Sequence, residues 1–527
     1  MPISARHRWW ALGALSLSML AVGLDGTVLN VALPALAESL DASGSELQWF
    51  SSSYLVFLAA AMLPAGLVGD RYGRRKTLVC ALLLFGAASV ACAWAQTPWQ
   101  FITARCLLGV AGAGIIVMAL SALTVLFSED ERPKAVGIWS AANFLALPLG
   151  PLAGGWLLTH FWWGWVFLIN VPVTLIGLGA VLAFVPETLD RESPRMDPLG
   201  MVLSVGGLVA VTYGLIRAGE FGWGEGVAWA LMIGGLLVLF AFYRHQVRLT
   251  ARSGGHPMLD PRLFRARAYT WGVILIGFVA LANIGVLFLM PQFFQAVQGT
   301  DALGSGLRLL PMIGGLVLGA VPAGRIVQLL GTKVAIAAGF AVMAAGLLLG
   351  AKTDASSPLW FVGVWMAMSG FGMGLAMASA TSAVLSQVPE ERSGVGAAVL
   401  QAVNKVGAPF GAAVLGSVAL TAYQSHLTLP TALDASADEA RSGIFGGIAV
   451  AERVDSASLL SLVRDSFTHG LHIALVVSAG FALVGLALTL LFMPGSPGRR
   501  PGADGSGTQN APTEPAGAPA KGLAEGV

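Results

Sequence analysis

Long apolar runs separated by short polar breaks follow one another along most of the chain. We count fourteen such runs, each long enough to cross the roughly 30 Å hydrocarbon core of a bilayer as an α-helix. The pattern therefore predicts an all-α polytopic membrane protein. The predicted spans are residues 9–34, 47–68, 78–95, 100–125, 135–159, 164–185, 198–217, 227–243, 270–294, 304–327, 334–350, 358–386, 394–421 and 470–493.

Composition supports the same class. The 527 residues are 56% hydrophobic and only 11% charged, whereas a soluble domain carries about 25% charged residues. The three cysteines all fall in apolar spans without metal or redox spacing, so we interpret them as packing residues.

Basic residues set the orientation. With the N-terminus in the cytoplasm, 22 of the 30 Lys and Arg residues lie on the cytoplasmic side, six lie outside and two fall within spans. This is the bias that the positive-inside rule describes. An even number of spans then predicts that both termini are cytoplasmic.

An internal repeat divides the chain. Residues 63–66 (Leu-Pro-Ala-Gly) recur as residues 321–324 (Val-Pro-Ala-Gly), and the Glu-Arg pair at 131–132 recurs at 391–392. Spans 1–6 therefore match spans 9–14, with two helices inserted between them. Two similar bundles with a site between them near the midplane are typical of a transporter.

These features predict four segments. Residues 1–190 form an N-terminal six-helix bundle, and residues 191–268 hold the inserted helices and a cytoplasmic linker. Residues 269–493 form a C-terminal six-helix bundle with a long external loop at 422–469. The Gly-, Pro- and Ala-rich residues 494–527 form a disordered cytoplasmic tail.

Asp25 is the only carboxylate that we place deep in a predicted span. A charge at the centre of a membrane helix costs about 2.5–3.5 kcal/mol on insertion scales, so intramembrane acids are usually functional. We interpret Asp25 as the protonation site of a transporter. The alternative is a permanently hydrogen-bonded helix contact.

Lys405 lies near the middle of span thirteen, where a lone cation is also costly. It could pair with Asp25 across the interface of the two halves, or contact an anionic or carbonyl-rich substrate. Either role would distinguish this protein from exporters of simple lipophilic cations. Gln401 and Asn404 could add hydrogen bonds to a ligand, and Asn143 and Asn283 are further candidates for the substrate cavity.

Two motifs suggest moving parts. Residues 66–76, between spans two and three, combine glycines with Asp70, Arg71 and Arg74, and these charges could latch neighbouring helix ends. Asp70 could pair with either arginine. In span five, Pro151 bends the helix while Gly150, Gly154 and Gly155 allow a partner helix to pack closely. The alternatives are a topology signal and an ordinary packing seam.

These motifs together resemble the major facilitator superfamily and, more narrowly, its fourteen-helix drug:proton antiporters. Residues 66–76 read as the superfamily's loop motif, and residues 24–34 match the pattern Leu-Asp-x-Thr-x-x-Asn-x-Ala-x-Pro. Residues 150–155 match the core of the antiporter motif. Residues 163–172 match a further signature, except that Gly164 stands where Arg is usual. The resemblance covers about residues 9–493.

The resemblance implies a major facilitator fold, proton coupling at Asp25, and gating by the loop motif and the span-five motif. It also ties Arg105 to proton handling, although Leu108 stands where relatives have Gln. The guanidinium could bias Asp25 or hold a carbonyl or water chain. Because Arg105 lies near the external end of its span, snorkelling to the interface is the alternative.

Motifs for other chemistry are missing from the sequence. It contains no phosphate-binding Gly-x-x-x-x-Gly-Lys loop, no metal-ligand spacing and no Gly-x-Ser-x-Gly elbow. We therefore expect no cofactor, no enzyme activity and no nucleic-acid partner. The sequence predicts a monomeric proton-coupled exporter of amphiphilic or aromatic drugs in the cytoplasmic membrane. A dedicated exporter of one natural product is the alternative, and nutrient uptake or a membrane enzyme is disfavoured.

Overall fold

The computed structural model describes residues 5–42, 44–128, 130–187, 197–251, 261–388, 393–429, 436–441 and 443–495. Within these ranges the regular structure is entirely helical. The predicted disordered tail lies almost wholly outside them. A bilayer offers no water to the backbone, which explains why the apolar runs become helices that satisfy their own hydrogen bonds.

Seven helices make the N-terminal bundle, and the polar breaks in the sequence end them. Thr97 caps one helix by accepting a hydrogen bond from the Gln100 N–H, with Pro98 at its first position. Gly73 separates two others with a φ of 106°, which glycine adopts without strain. The helices are α1 (Ala5–Ser39), α2 (Gly44–Tyr72), α3 (Arg74–Ala93), α4 (Pro98–Leu126), α5 (Arg132–His160), α6 (Trp165–Leu168) and α7 (Asn170–Phe184).

The inserted pair consists of α8 (Pro198–Phe221) and α9 (Gly226–Ala251), which pack along each other. Helix α8 also contacts α2, where Trp49 stacks on Tyr213 with ring centroids 4.9 Å apart. Much of α9 faces outward with exposed apolar side chains, as expected of a lipid-facing helix.

The C-terminal bundle repeats the plan with more breaks. Its second span is bent by 42° at Val321 and Pro322, where proline removes a helix donor. The helices are α10 (Arg267–Gln292), extended by a π-helical turn at Phe293–Val297, α11 (Ala302–Arg308), α12 (Leu310–Ala320), α13 (Ala323–Leu330), α14 (Thr332–Gly350), α15 (Leu359–Leu385), α16 (Ser393–His426), α17 (Ala437–Arg441), α18 (Ile444–Arg453) and α19 (Ala457–Phe492).

Within the external segment predicted at 422–469, the described residues include the end of α16, two short helices and the start of α19. Helix α16 continues to His426, and α19 begins at Ala457, well before the predicted span. The Tyr423 hydroxyl donates to the Ala440 carbonyl oxygen at 2.8 Å and so holds α17 against the bundle.

Eleven described helical segments are long and apolar enough to cross a membrane, and the bent pair Gly304–Ala320 and Ala323–Leu330 raises this to twelve. The predicted spans also include α5 and α16, which have 29 and 34 residues. At 1.5 Å per residue these helices are about 44 and 51 Å long. The described helices are thus consistent with fourteen spans, and the exact number stays a prediction.

The two bundles meet closely at the end that carries the loop 66–76. A Cβ built on Gly137 of α5 would lie 2.1 Å from the Cβ of Ala320, and one built on Gly324 would lie 2.4 Å from the Asp130 carbonyl oxygen. Only glycine permits such backbone approach. Helix α16 also contacts α2 and α4 of the N-terminal bundle.

Candidate functional site

Asp25 lies inside the N-terminal bundle with no exposed surface. Its Oδ2 accepts a hydrogen bond from Arg105 Nη1 at 2.5 Å, and its Oδ1 accepts one from Asn170 Nδ2 at 3.0 Å. Asn170 Nδ2 also lies 3.3 Å from Ser89 Oγ. Side chains from α4 and α7 therefore bind the Asp25 carboxylate of α1, and a hydroxyl from α3 contacts one of them.

Arg105 is as deeply buried as its partner, with 1% of its surface exposed. Its Nε donates to the Phe50 carbonyl oxygen at 3.0 Å, and its guanidinium carbon lies 4.6 Å from the centre of the Tyr54 ring. The Tyr54 hydroxyl in turn donates to the Val22 carbonyl oxygen at 3.0 Å. The snorkelling alternative is thus wrong, because the side chain turns inward to a carboxylate, a carbonyl and a ring.

The pair is a tight electrostatic contact in a medium of low dielectric. Burying two charges is costly unless they pair well and their remaining hydrogen-bonding atoms are satisfied, and the contacts of Asp25 and Arg105 meet that condition. Asn170 Oδ1 is the exception, since it is buried and has no described hydrogen-bond partner. An amide at this place can donate to an ionised carboxylate or, after a flip, accept from a protonated one.

Sequence reasoning did not select Asn170, Ser89 or Tyr54 as site residues. Each is a polar group within an apolar span, and this is the signal that could have found them. Which polar groups meet depends on the packing of helices that are distant in sequence.

The structure does not form the ion pair between Lys405 and Asp25 that the sequence left open. Asp25 is bound by Arg105 and Asn170, both from its own bundle. Lys405 is partly buried in α16, as is Asn404, and Gln401 is buried one turn before Lys405.

Asn283 lies within the C-terminal bundle. It is 1% exposed, its Nδ2 donates to Met343 Sδ at 2.7 Å, and its Oδ1 accepts from the Ser369 hydroxyl at 3.0 Å. These contacts join α10 to α14 and α15. The second predicted asparagine, Asn143, lies in α5, and its side chain is outside the described part of the structure.

The loop motif links the two bundles. Asp70 Oδ1 accepts from Arg74 Nε at 3.2 Å and Nη2 at 3.1 Å, and Asp70 Oδ2 accepts from the Val395 N–H at 3.0 Å. The Val395 N–H is in the first turn of α16, where a carboxylate complements the helix dipole. Of the two candidate partners, Arg74 makes this ion pair with Asp70, while the Arg71 guanidinium carbon lies 5.6 Å from the centre of the Tyr72 ring.

The span-five motif packs against the first helix. Thr27 Oγ1 donates to the Ala146 carbonyl oxygen at 3.1 Å, and a Cβ added at Gly150 would lie 2.0 Å from that hydroxyl oxygen. Gly154 is buried, whereas a Cβ at Gly155 would meet nothing within 4 Å. The Pro151 side chain lies outside the described structure. Close approach in this motif is therefore observed at Gly150 and not at Gly155.

Among the described residues, no group of three His, Cys, Asp or Glu side chains is arranged to hold a metal ion. The polar centre of the N-terminal bundle is instead an acid, a guanidinium, an amide and hydroxyls inside apolar helices. Ionisable groups buried within membrane helices are usually functional.

Two similar helical bundles, close glycine contacts between them and a buried acid–base centre define a secondary transporter. The chain belongs to the Major Facilitator Superfamily, whose family model matches residues 15–412. It is 29% identical to the tetracenomycin C resistance and export protein of Streptomyces glaucescens, over 93% of each chain. It is 32% identical to the methyl viologen resistance protein SmvA of Salmonella typhimurium, over 92% of this chain and 98% of the relative.

A solved structure supports the fold. The proton:xylose symporter XylE matches with a TM-score of 0.58 and 17% identity, covering 94% of this chain and 98% of XylE. These findings confirm the predicted superfamily, the major facilitator fold and the expectation of a transporter rather than an enzyme.

Proposed function

We propose that this protein is a proton-coupled antiporter that exports amphiphilic, aromatic small molecules such as antibiotics, antiseptics or dyes. The observation that carries the proposal is the ion pair between Asp25 and Arg105, buried within one bundle at 2.5 Å. An acid that is neutralised by a guanidinium changes the charge balance of its surroundings when it takes up a proton.

The change in charge at Asp25 would couple proton uptake to helix movement. Protonation of Asp25 removes the negative charge and leaves Arg105 with only the Phe50 carbonyl oxygen and the Tyr54 ring. A buried guanidinium without its counter-ion is unfavourable, so the protonated state favours a rearrangement of α1 and α4. Asp25 has no exposed surface in this conformation, and proton exchange therefore requires helix movement.

Export proceeds as an exchange. A proton from outside binds Asp25 and substrate is released, the protonated protein turns inward, and loss of the proton to the cytoplasm restores the ion pair while substrate binds. Asp70, Arg74 and the Val395 N–H would latch the cytoplasmic ends of the bundles. Thr27 and Gly150 connect the proton-binding helix to α5, which contacts the opposite bundle.

The membrane position is part of the proposal. The excess of basic residues in the predicted inner loops supports a cytoplasmic-membrane protein with both termini in the cytoplasm. We propose that the working unit is a monomer, because the two bundles supply both sides of the interface.

The named relatives support the substrate class. Tetracenomycin C and methyl viologen appear in the names of two relatives, and both are aromatic. A dedicated exporter of one natural product is the second candidate, favoured by the tetracenomycin C export relative. A resistance panel of unrelated drugs separates the two, because a dedicated pump protects cells against a single scaffold.

The direct test is Asp25→Asn in inside-out membrane vesicles with an imposed proton gradient. We expect proton-driven dye uptake to be lost while folding, measured by size-exclusion chromatography and thermal unfolding, is kept. Asp455→Asn is the matched control, because Asp455 is exposed and has a φ of 48° that asparagine tolerates. Full proton-driven transport by Asp25→Asn would remove Asp25 from the mechanism.

A further inference from the structure

Lys405 is a cation in the middle of a membrane helix for which the described structure supplies no counter-ion. None of the ion pairs or hydrogen bonds found among the described residues includes Lys405. Part of the Lys405 surface remains exposed. The acid that could have neutralised it, Asp25, is bound by Arg105.

The local packing of α16 shows which side carries this lysine. Val403 and Gly407 contact α10 near Gly277, and Val406 joins the apolar cluster of the inserted helices. Gln401 and Lys405 are four residues apart and share another side of the helix. At about 100° per residue, that side points away from Val403 and Gly407. Helix α16 also contacts α2 and α4 of the opposite bundle.

The side of α16 that carries Lys405 favours an anionic ligand over a cationic one. Because the Asp25–Arg105 pair is neutral as a unit, protonated Lys405 adds a positive charge that no other described residue neutralises. A permanent aromatic cation would meet repulsion there, whereas an anionic oxygen would gain a charge-assisted hydrogen bond in a medium of low dielectric. The amides of Gln401 and Asn404 can complete the hydrogen bonds of such a group.

We propose that Lys405 binds the acidic or strongly accepting oxygen of the exported molecule, a carboxylate, phenolate or enolate on an aromatic amphiphile. This inference rests on the proposed export function and narrows its substrate class. Lys405 thereby selects against lipophilic cations and for weakly acidic aromatic compounds.

The test compares two dyes in inside-out vesicles: fluorescein, an aromatic anion, and ethidium, a permanent aromatic cation. We expect Lys405→Met to lower fluorescein uptake by about tenfold or more, mainly through KM, and to leave ethidium uptake unchanged or raised. Lys405→Arg keeps the charge and should retain uptake to within about threefold. Lys352→Met is the matched control, since Lys352 is exposed beyond the end of α14.

The possible outcomes separate this inference from the function on which it rests. Equal loss of both dyes in a folded Lys405→Met protein, or wild-type uptake of ethidium without fluorescein, would overturn the role of Lys405 alone. If the wild type moves neither dye under a proton gradient, the export proposal fails with it. Should Lys405→Met fail size-exclusion analysis, Lys405→Gln replaces it. The ratio of fluorescein uptake to ethidium uptake in that variant then decides between the same outcomes.

Discussion

Asp25 and Asn283 are 258 positions apart, the interval that also separates Pro64 from Pro322 in the internal repeat. Both side chains are buried in the first membrane span of their bundle, and each contacts the fourth span of that bundle. Asp25 contacts Arg105 of α4, and Asn283 contacts Ser369 of α15. One bundle thus holds a charged centre and the other a neutral one in the same place.

Under the proposed mechanism, this difference would give a duplicated architecture a single proton-coupling site. An amide and a hydroxyl keep their charge at every physiological pH, whereas a carboxylate paired with a guanidinium changes charge when it is protonated. The loop motif differs in the same sense, because Gln328 stands 258 positions after Asp70. The C-terminal bundle then contributes a basic side chain, Lys405, rather than an acid.

The largest expected effect comes from removing one half of the charged centre. Arg105→Met leaves the Asp25 carboxylate buried without its cation, and we expect export to be abolished and unfolding to be easier by about 3–5 kcal/mol. Adding Asp25→Asn to Arg105→Met should restore much of the stability but no transport. Thermal unfolding in detergent and vesicle uptake measure the two effects.

The neutral centre provides the matched comparison for that experiment. Ser369→Ala removes one hydrogen bond to Asn283 and should cost about 1 kcal/mol while export continues. Loss of proton-driven uptake in Ser369→Ala as complete as in Arg105→Met would contradict the assignment of coupling to one bundle.

Asn283→Asp would place a second carboxylate in the C-terminal bundle, with no described cation beside it. Because an unpaired buried charge is unfavourable, we expect a loss of about 3 kcal/mol at pH 8 and a smaller loss at pH 5, where the acid can become neutral. The apparent melting temperature across this pH range tests it. Stability that is independent of pH would show that the neutral centre tolerates a charge, and Asn283→Ala controls for the lost hydrogen bonds.

Much of the architecture was readable from the sequence because hydrophobic length and basic residues in loops depend on the bilayer and not on tertiary contacts. The repeat located both bundles, and Asp25 and Arg105 stood out as isolated charges in apolar runs. Their mutual contact and the role of Asn170 depend on which helices become neighbours. The partner of Lys405 depends on how the two bundles fit together. The sequence therefore left open an ion pair with Asp25 and a contact to substrate, and the structure removes the ion pair.

The contact between α1 and α5 at Thr27 and Gly150 should be disrupted by one added methyl group. Gly150→Ala would bring a Cβ to 2.0 Å from Thr27 Oγ1, and overpacking of this kind costs about 1–3 kcal/mol. We expect export to fall about tenfold, with partial recovery when Thr27→Ala is added.

Gly155→Ala tests the same motif where its glycine has open space. The added methyl would meet nothing within 4 Å, so we expect little change in the melting temperature. Gly179→Ala, another helix glycine with open space, is the control outside the motif. Equal destabilisation by Gly150→Ala and Gly155→Ala would show that close packing at Thr27 is not what the motif provides.

A further comparison concerns the inserted pair, which belongs to neither bundle and has a charged cluster of its own. Asp197 caps α8 by accepting from the Gly200 N–H at 2.9 Å, and it accepts from His245 and Gln246 of α9 at 3.0 and 2.7 Å. Desolvation raises the pKa of Asp197, but these hydrogen bonds outweigh it and hold the pKa below its ordinary value.

The lowered pKa of Asp197 determines the direction in which stability changes with pH. The stabilisation by Asp197 is fully present above about pH 3.9, the ordinary value for aspartate, and is lost as the pH falls through the lower pKa of the folded protein. Asp197→Ala should therefore cost about 1 kcal/mol at pH 7, typical of a lost helix cap, and progressively less below pH 4. Uptake in vesicles should be unchanged, since α8 and α9 carry no part of the coupling centre. If Asp197→Ala lowered proton-driven uptake as much as Asp25→Asn does, the inserted helices would take part in proton coupling. The comparison of the two bundles would then have to include the inserted pair.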